Sequence, residues 1–172
     1  MAELVDALVS NTNEETRAGS NPALGTITFM EKSKQYKYDV AYLKMAKEWA
    51  NLSHCNRRKV GALIVKNQMI ISDGYNGTPS GFSNECEDEN NQTHWYVLHA
   101  EANAILKTAK SNHNCKDACL YLTMSPCKDC SKLTYQSGIK RVVYIEEYKD
   151  NSGLNFLREA GVEVLQIKQE EL

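Results

Sequence analysis

The stretch that decides the fold class is Ala118-Cys119-Leu120-Tyr121-Leu122-Thr123-Met124-Ser125-Pro126-Cys127-Lys128-Asp129-Cys130. Ala118 to Thr123 is an apolar run of strand length. Ser125 then offers a side-chain oxygen for free helix N–H groups, and Pro126 suits a first helical position, where its missing N–H costs nothing. Gly138 follows as the residue that ends the helix after about Gln136. The predicted unit is a strand, a tight turn and a helix over 126–136. Cys127 and Cys130 stand three apart in its first turn, with both sulfurs on one side. The positive end of the helix dipole and its unpaired amides favour thiolates there.

Working outward, the same alternation continues. Arg141 to Glu146 reads as a strand, Leu154 to Glu159 as a short helix ended by Gly161, and Val162 to Ile167 as a last strand. Upstream, Val60–Val65 and Met69–Tyr75 are strand-like runs joined by Lys66-Asn67-Gln68, which predicts a hairpin. A helix precedes them from Tyr36 to near Leu52, with Tyr42, Met45, Ala46 and Trp49 spaced as one apolar face. Asn76 to about Tyr96 is a polar loop broken by Gly77, Pro79 and Gly81, and a helix follows over Leu98 to Lys110. The order α-β-β-α-β-α-β-α-β implies an α/β fold. Its central sheet is largely parallel with one antiparallel hairpin and helices on both faces. No internal repeat is visible.

Composition narrows the classes of function. The 172 residues hold 20 Lys and Arg against 22 Asp and Glu, a net charge of −2. Bulk charge therefore gives no reason to expect nucleic acid or an anionic membrane as partner. No apolar run reaches the ~18–20 residues of a membrane helix, and the N-terminus lacks the pattern of a secretion signal. The expected compartment is the cytoplasm. There, paired cysteines point to metal or redox chemistry more than to disulfides.

Residues 1–29 differ in texture, being rich in turn formers and without periodicity. Back-translated, Met1–Ser10 and Gly19–Pro22 can be spelled as the 5′ half and the T-loop of a bacterial leucine tRNA gene. The expectation is a disordered leader arising from a start codon assigned too early, with Met30 near the true start. An ordinary disordered tail is the alternative. The functional domain is expected over 30–172.

The chemistry-bearing residues fall in two segments, His99-Ala100-Glu101 and Pro126-Cys127-Lys128-Asp129-Cys130. One imidazole and two thiolates make three zinc ligands and leave a fourth tetrahedral position for water, the arrangement of a catalytic site rather than a structural one. Glu101 is two residues from His99, so it cannot share its direction on a helix. It can sit beside the open position as a proton carrier.

H-x-E followed by P-C-x-x-C is the signature of zinc-dependent deaminases, and the chain resembles the cytidine deaminase superfamily. Within it the likeness is to the deoxycytidylate (dCMP) deaminases over residues 36–167, carried also by Lys59-Val60-Gly61-Ala62, by Gly74 to Gly81 and by Gln136 to Lys140. The resemblance implies a cytidine-deaminase-like three-layer α/β/α fold with a five-stranded mixed sheet. It implies hydrolytic deamination of dCMP to dUMP and ammonia for thymidylate synthesis, with His99, Cys127 and Cys130 on zinc and Glu101 as acid and base. It also implies a homo-oligomer, often a hexamer, with dCTP and dTTP as effectors acting with Mg2+.

Other residues have weaker assignments. Asn76 matches a position that contacts the nucleoside, although Asn-Gly is also turn chemistry. Arg57, Arg58 and Lys59 are candidates for a substrate phosphate or a solvated basic cluster. Gly77 and Lys110 match effector or interface positions. Cys55 and Cys86, with His94, match segments that hold a second, structural zinc in some relatives; the alternative is two buried, reduced cysteines. Cys115 and Cys119 match nothing. Deamination of another cytosine or guanine compound, and a non-catalytic zinc-binding domain, are the competing functions. Glu101 argues against the latter.

Overall fold

The computed structural model describes the backbone of residues 23–172 and the side chains from residue 34 onward. The elements are α1 (Ala23–Ala50), β1 (Gly61–Lys66), β2 (Met69–Tyr75), α2 (Ala100–Thr108), β3 (Cys119–Met124), α3 (Lys128–Gln136), β4 (Arg141–Glu146), α4 (Ser152–Glu159), β5 (Glu163–Gln166) and a closing 3-10 turn, Gln169–Glu171. The expected domain start at residue 30 falls inside α1, and residues 1–22 of the expected leader lie outside the described residues.

The five strands form one sheet in the order β2-β1-β3-β4-β5. β1 runs antiparallel to both β2 and β3, whereas β3, β4 and β5 run parallel. The mixed sheet and the element order agree with the sequence reading. Asn67 and Gln68 both hold positive φ at the hairpin, 51° and 61°, which turns β1 into β2 with the twist that paired strands need.

Period-two alternation sorts the central strands into two cores. Ala62, Ile64, Leu120, Leu122, Val142 and Tyr144 face one side, against Ala100 and Ala104 of α2 and Leu154 and Leu157 of α4. Leu63, Val65, Tyr121, Val143 and Ile145 face the other, under Leu43 and Ala46 of α1. The α1 stripe sits slightly off the predicted one: Met45 is exposed, and Leu43, Ala46 and Ala50 are buried. At 3.6 residues per turn those three rows drift toward Asp39, which is also buried.

Asp39 anchors that second face. Its carboxylate accepts from both Nη atoms of Arg141, at 2.7 and 2.8 Å, and from the Tyr121 hydroxyl at 2.8 Å. A buried charge survives only when its oxygens are so occupied.

On the first face, α2 lies directly on β2 at Gly74. A Cβ there would overlap the Ala100 carbonyl oxygen and lie 2.7 Å from the Ala104 amide nitrogen. Ser72 Oγ donates to the Ala104 carbonyl at 2.7 Å, and Asn103 Nδ2 donates to the Tyr75 carbonyl at 2.8 Å. These contacts set the height of the α2 N-terminus, where His99 stands. Among the described residues no helix is long and apolar enough to cross a membrane.

Candidate active site

His99 and Cys127 are each the N-cap of a helix, α2 and α3, in extended backbone with φ of −74° and −70°. This corrects the predicted α3 start, where Ser125 was the cap and Pro126 the first helical residue. Ser125 Oγ instead accepts the Tyr148 amide at 2.8 Å, and its own N–H goes to the Glu146 carbonyl at 2.8 Å. Ser125 is thus committed to the loop after β4, and the cap position passes to Cys127. Cys130 remains in the first helical turn.

His99 Nδ1 lies 3.5 Å from Cys127 Sγ and 3.4 Å from Cys130 Sγ. Tetrahedral zinc bound at about 2.3 Å to sulfur and about 2.0 Å to nitrogen separates such ligands by about 3.5 Å. The three side chains therefore fit the ion, and among the described residues they form the group of His, Cys and carboxylate atoms close enough to share one. Glu101 stands outside that group.

The Cys130 thiol and the His99 ring, both hydrogen-bonded to Cys127, pull its thiol down to about 4. Cys127 in turn raises both Cys130 and His99. Glu101 is 3 % exposed, and burial pushes its carboxyl up to about 7 against the opposing pull of backbone amide and His99.

These groups open into a cleft of about 370 Å³. Asn76, Arg57 and Arg58 line it, as expected; Lys59 does not. Asn76 also staples its own surroundings. Its Oδ1 accepts the Val60 amide and its Nδ2 donates to the Arg58 carbonyl, both at 2.8 Å. Arg58 is paired with Glu146 at 3.0 Å. Gly77 exchanges both backbone hydrogen bonds with Leu98, at 3.0 and 2.9 Å, closing the long loop just before His99. Lys110 is exposed beyond the end of α2, away from the cleft-lining residues.

Cys55 and Cys86 are joined as a disulfide. This is a third arrangement beside the second zinc and the two reduced thiols that the sequence left open. The His94 ring stacks on Tyr96, at 5.0 Å between centroids. Cys115 and Cys119 are free.

Sequence reasoning missed Glu87 and Thr93 from the long loop and Glu147, Tyr148 and Lys149 after β4, all of which line the cleft. A signal existed for the last three. In α/β sheets ligands bind beyond the C-terminal ends of parallel strands, and β4 pairs with β3 beside Cys127.

Residues 36–146 match the cytidine and deoxycytidylate deaminase zinc-binding region. The deoxycytidylate deaminase of enterobacteria phage T4 is 36 % identical over 163 residues, covering 70 % of this chain and 84 % of its own. That of Saccharomyces cerevisiae is 33 % identical, with 90 % of this chain and 56 % of its own covered. Among solved structures, the dCMP deaminase of cyanophage S-TIM5, crystallised with dCMP and dUMP, superposes with a TM-score of 0.72. It is 48 % identical, over 74 % of this chain and 94 % of that one. With the ligand triad, the buried glutamate and the sheet that holds them in agreement, the chain belongs to the cytidine and deoxycytidylate deaminase family.

Proposed function

We propose that this chain hydrolyses dCMP to dUMP and ammonia, with zinc held by His99, Cys127 and Cys130. The observation that carries the reading is the buried Glu101 carboxyl beside a three-ligand metal group, at the bottom of a cleft with Arg57, Arg58 and Lys149 on its walls. The cyanophage relative solved with dCMP and dUMP supports the same substrate. Zinc, when bound, supplies a water acidified from about 16 toward about 7.

The chain's own residues do the rest. Glu101 accepts a proton from the attacking water and delivers it to N3 of the pyrimidine. It then takes the remaining proton from the new C4 hydroxyl and passes it to the C4 amino group, so that the C4–N bond breaks to ammonia as the C4 carbonyl forms. A carboxyl near neutrality both takes and gives that proton with little penalty either way. Asn76 keeps a second Oδ1 lone pair and a second Nδ2 hydrogen for a sugar hydroxyl, which supports its role as the nucleoside contact.

The phosphate falls to Arg57, with Lys149 as a second donor. Arg58 is paired with Glu146, and Lys59 is outside the cleft. Two charged hydrogen bonds to phosphate, at about 1.5–3 kcal/mol each, favour dCMP over deoxycytidine by roughly 10²–10⁴ in kcat/KM. Ammonia release from a panel of cytidine and deoxycytidine nucleosides and nucleotides tests this. Equal turnover of dCMP and deoxycytidine defeats the nucleotide assignment.

We further propose a cytoplasmic homo-oligomer, a hexamer by family likeness, that supplies thymidylate synthesis. dCTP and dTTP with Mg2+ would act through Gly77 and Lys110. The Gly77–Leu98 pairing supports a route from that loop to His99. Sedimentation, and dCMP turnover with each triphosphate added, test these points.

A further inference from the structure

The loop between β2 and α2 contains an ordered clasp. Cys86 to Asp88 pairs with Gln92 to His94: the His94 amide donates to the Cys86 carbonyl and the Asp88 amide to the Gln92 carbonyl, both at 2.9 Å, and Glu87 bridges Thr93. Asp88 Oδ1 closes the tip by accepting the Asn90 and Gln92 amides at 2.9 and 2.8 Å. This small hairpin grips the segment before β1 at three successive points. Cys86 is bonded to Cys55, Glu87 Oε2 accepts the Asn56 amide at 3.0 Å, and Glu87 Oε1 accepts the Arg57 amide at 3.2 Å. Thr93 Oγ1 then accepts from an Arg57 Nη at 3.1 Å. Arg57, Glu87 and Thr93 all line the active-site cleft.

We propose that Glu87 and Thr93 are positioning residues that hold Arg57 over the cleft, and that the clasp thereby sets the preference for a phosphate-bearing substrate. The proposal rests on the reading of Arg57 as a phosphate donor. An arginine on a free loop spends its charge in solvent, and ordering its long side chain at binding costs conformational entropy. Here backbone and guanidinium are each held beforehand, so that loss is met on folding. The placement of Glu87 makes sense only this way. A carboxylate lining a site for a dianion is repulsive, unless its two oxygens are already turned onto backbone amides.

Position and repulsion make opposite forecasts for the same substitution. If Glu87 positions Arg57, Glu87→Ala lowers the ratio of kcat/KM for dCMP to that for deoxycytidine by about tenfold, chiefly through KM for dCMP. Glu87→Gln, which keeps one acceptor oxygen, falls between wild type and alanine. Thr93→Val removes only the guanidinium's acceptor and leaves the backbone grip intact, so it stays informative even where Glu87→Ala folds poorly; it lowers the ratio about threefold. In an Arg57→Ala background Glu87→Ala lowers the ratio no further, because its effect runs through that side chain.

A ratio that rises in Glu87→Ala shows repulsion and overturns the proposal. So does an equal fall for both substrates, which is a merely structural effect, or an unchanged ratio in both Glu87→Ala and Thr93→Val. Wild-type parity between dCMP and deoxycytidine, or a ratio unmoved by Arg57→Ala, instead removes the underlying phosphate reading.

Discussion

Cys127 Sγ lies 3.5 Å from His99 Nδ1, and each residue is the N-cap of its own helix. Two helix N-termini therefore converge on one point, and neither capping side chain bonds its own helix. Cap positions normally carry Ser, Thr, Asp or Asn for that bond. Giving both to metal ligands trades that bond for a place in the metal group. It also aims two positive dipole ends at the thiolates that would hold zinc.

Proton transfer and metal binding separate by mutation. Glu101→Gln should retain zinc and the fold while losing at least about 10²–10⁴ of turnover, the usual contribution of a positioned acid and base. His99→Ala, Cys127→Ala and Cys130→Ala should each lose the metal. Elemental analysis beside ammonia release checks both; a Glu101→Gln enzyme of near-normal rate would reject the role assigned to Glu101.

Zinc should leave on acidification. Without metal the His99 ring and the Cys130 thiol hold their protons more tightly than usual, because the Cys127 thiolate favours them there. The ion must displace those protons, so apparent affinity rises with pH, about tenfold per unit for each proton released. Cys127, lowered to about 4, adds no such dependence near neutrality. Competition against a chelator at several pH values measures the slope. A flat profile would mean that the ligands are already bare.

Thiol counting decides the state of Cys55 and Cys86. The sequence has six cysteines, four of them free with the Cys55–Cys86 bond in place. Denatured, metal-stripped protein should titrate four thiols before reduction and six after, with one zinc per chain in the native enzyme. Six thiols without reductant, together with a second zinc, would restore the metal reading of this pair.

The Asp39–Arg141 pair should matter more to stability than the Arg141–Glu163 pair beside it. Asp39 is almost fully buried, whereas the Glu163 side chain is 65 % exposed. Asp39→Ala strands a mostly buried guanidinium and should cost about 3–5 kcal/mol, against about 0–1 kcal/mol for Glu163→Ala. Denaturant melts of the two variants compare them directly. Similar losses would show that Arg141 is solvated in solution.

By itself the sequence determined the element order and the mixed sheet, and it singled out His99, Glu101, Cys127 and Cys130 as candidates. Each is written in local chemistry: alternating or helical apolar spacing, two cysteines three apart, and an H-x-E and P-C-x-x-C pairing with little background. The tertiary structure decided what depends on partners distant along the chain. Ser125 looked like a cap until Tyr148 claimed its hydroxyl, and Cys55 met Cys86 only because the long loop folds back over the segment before β1. Glu87, Thr93 and Lys149 entered the cleft in the same way, from loops whose composition carries no periodicity. A periodic pattern records which face of an element is buried. It holds no information on which loop will cross it, since loop placement follows from a few contacts between residues that the sequence sets far apart.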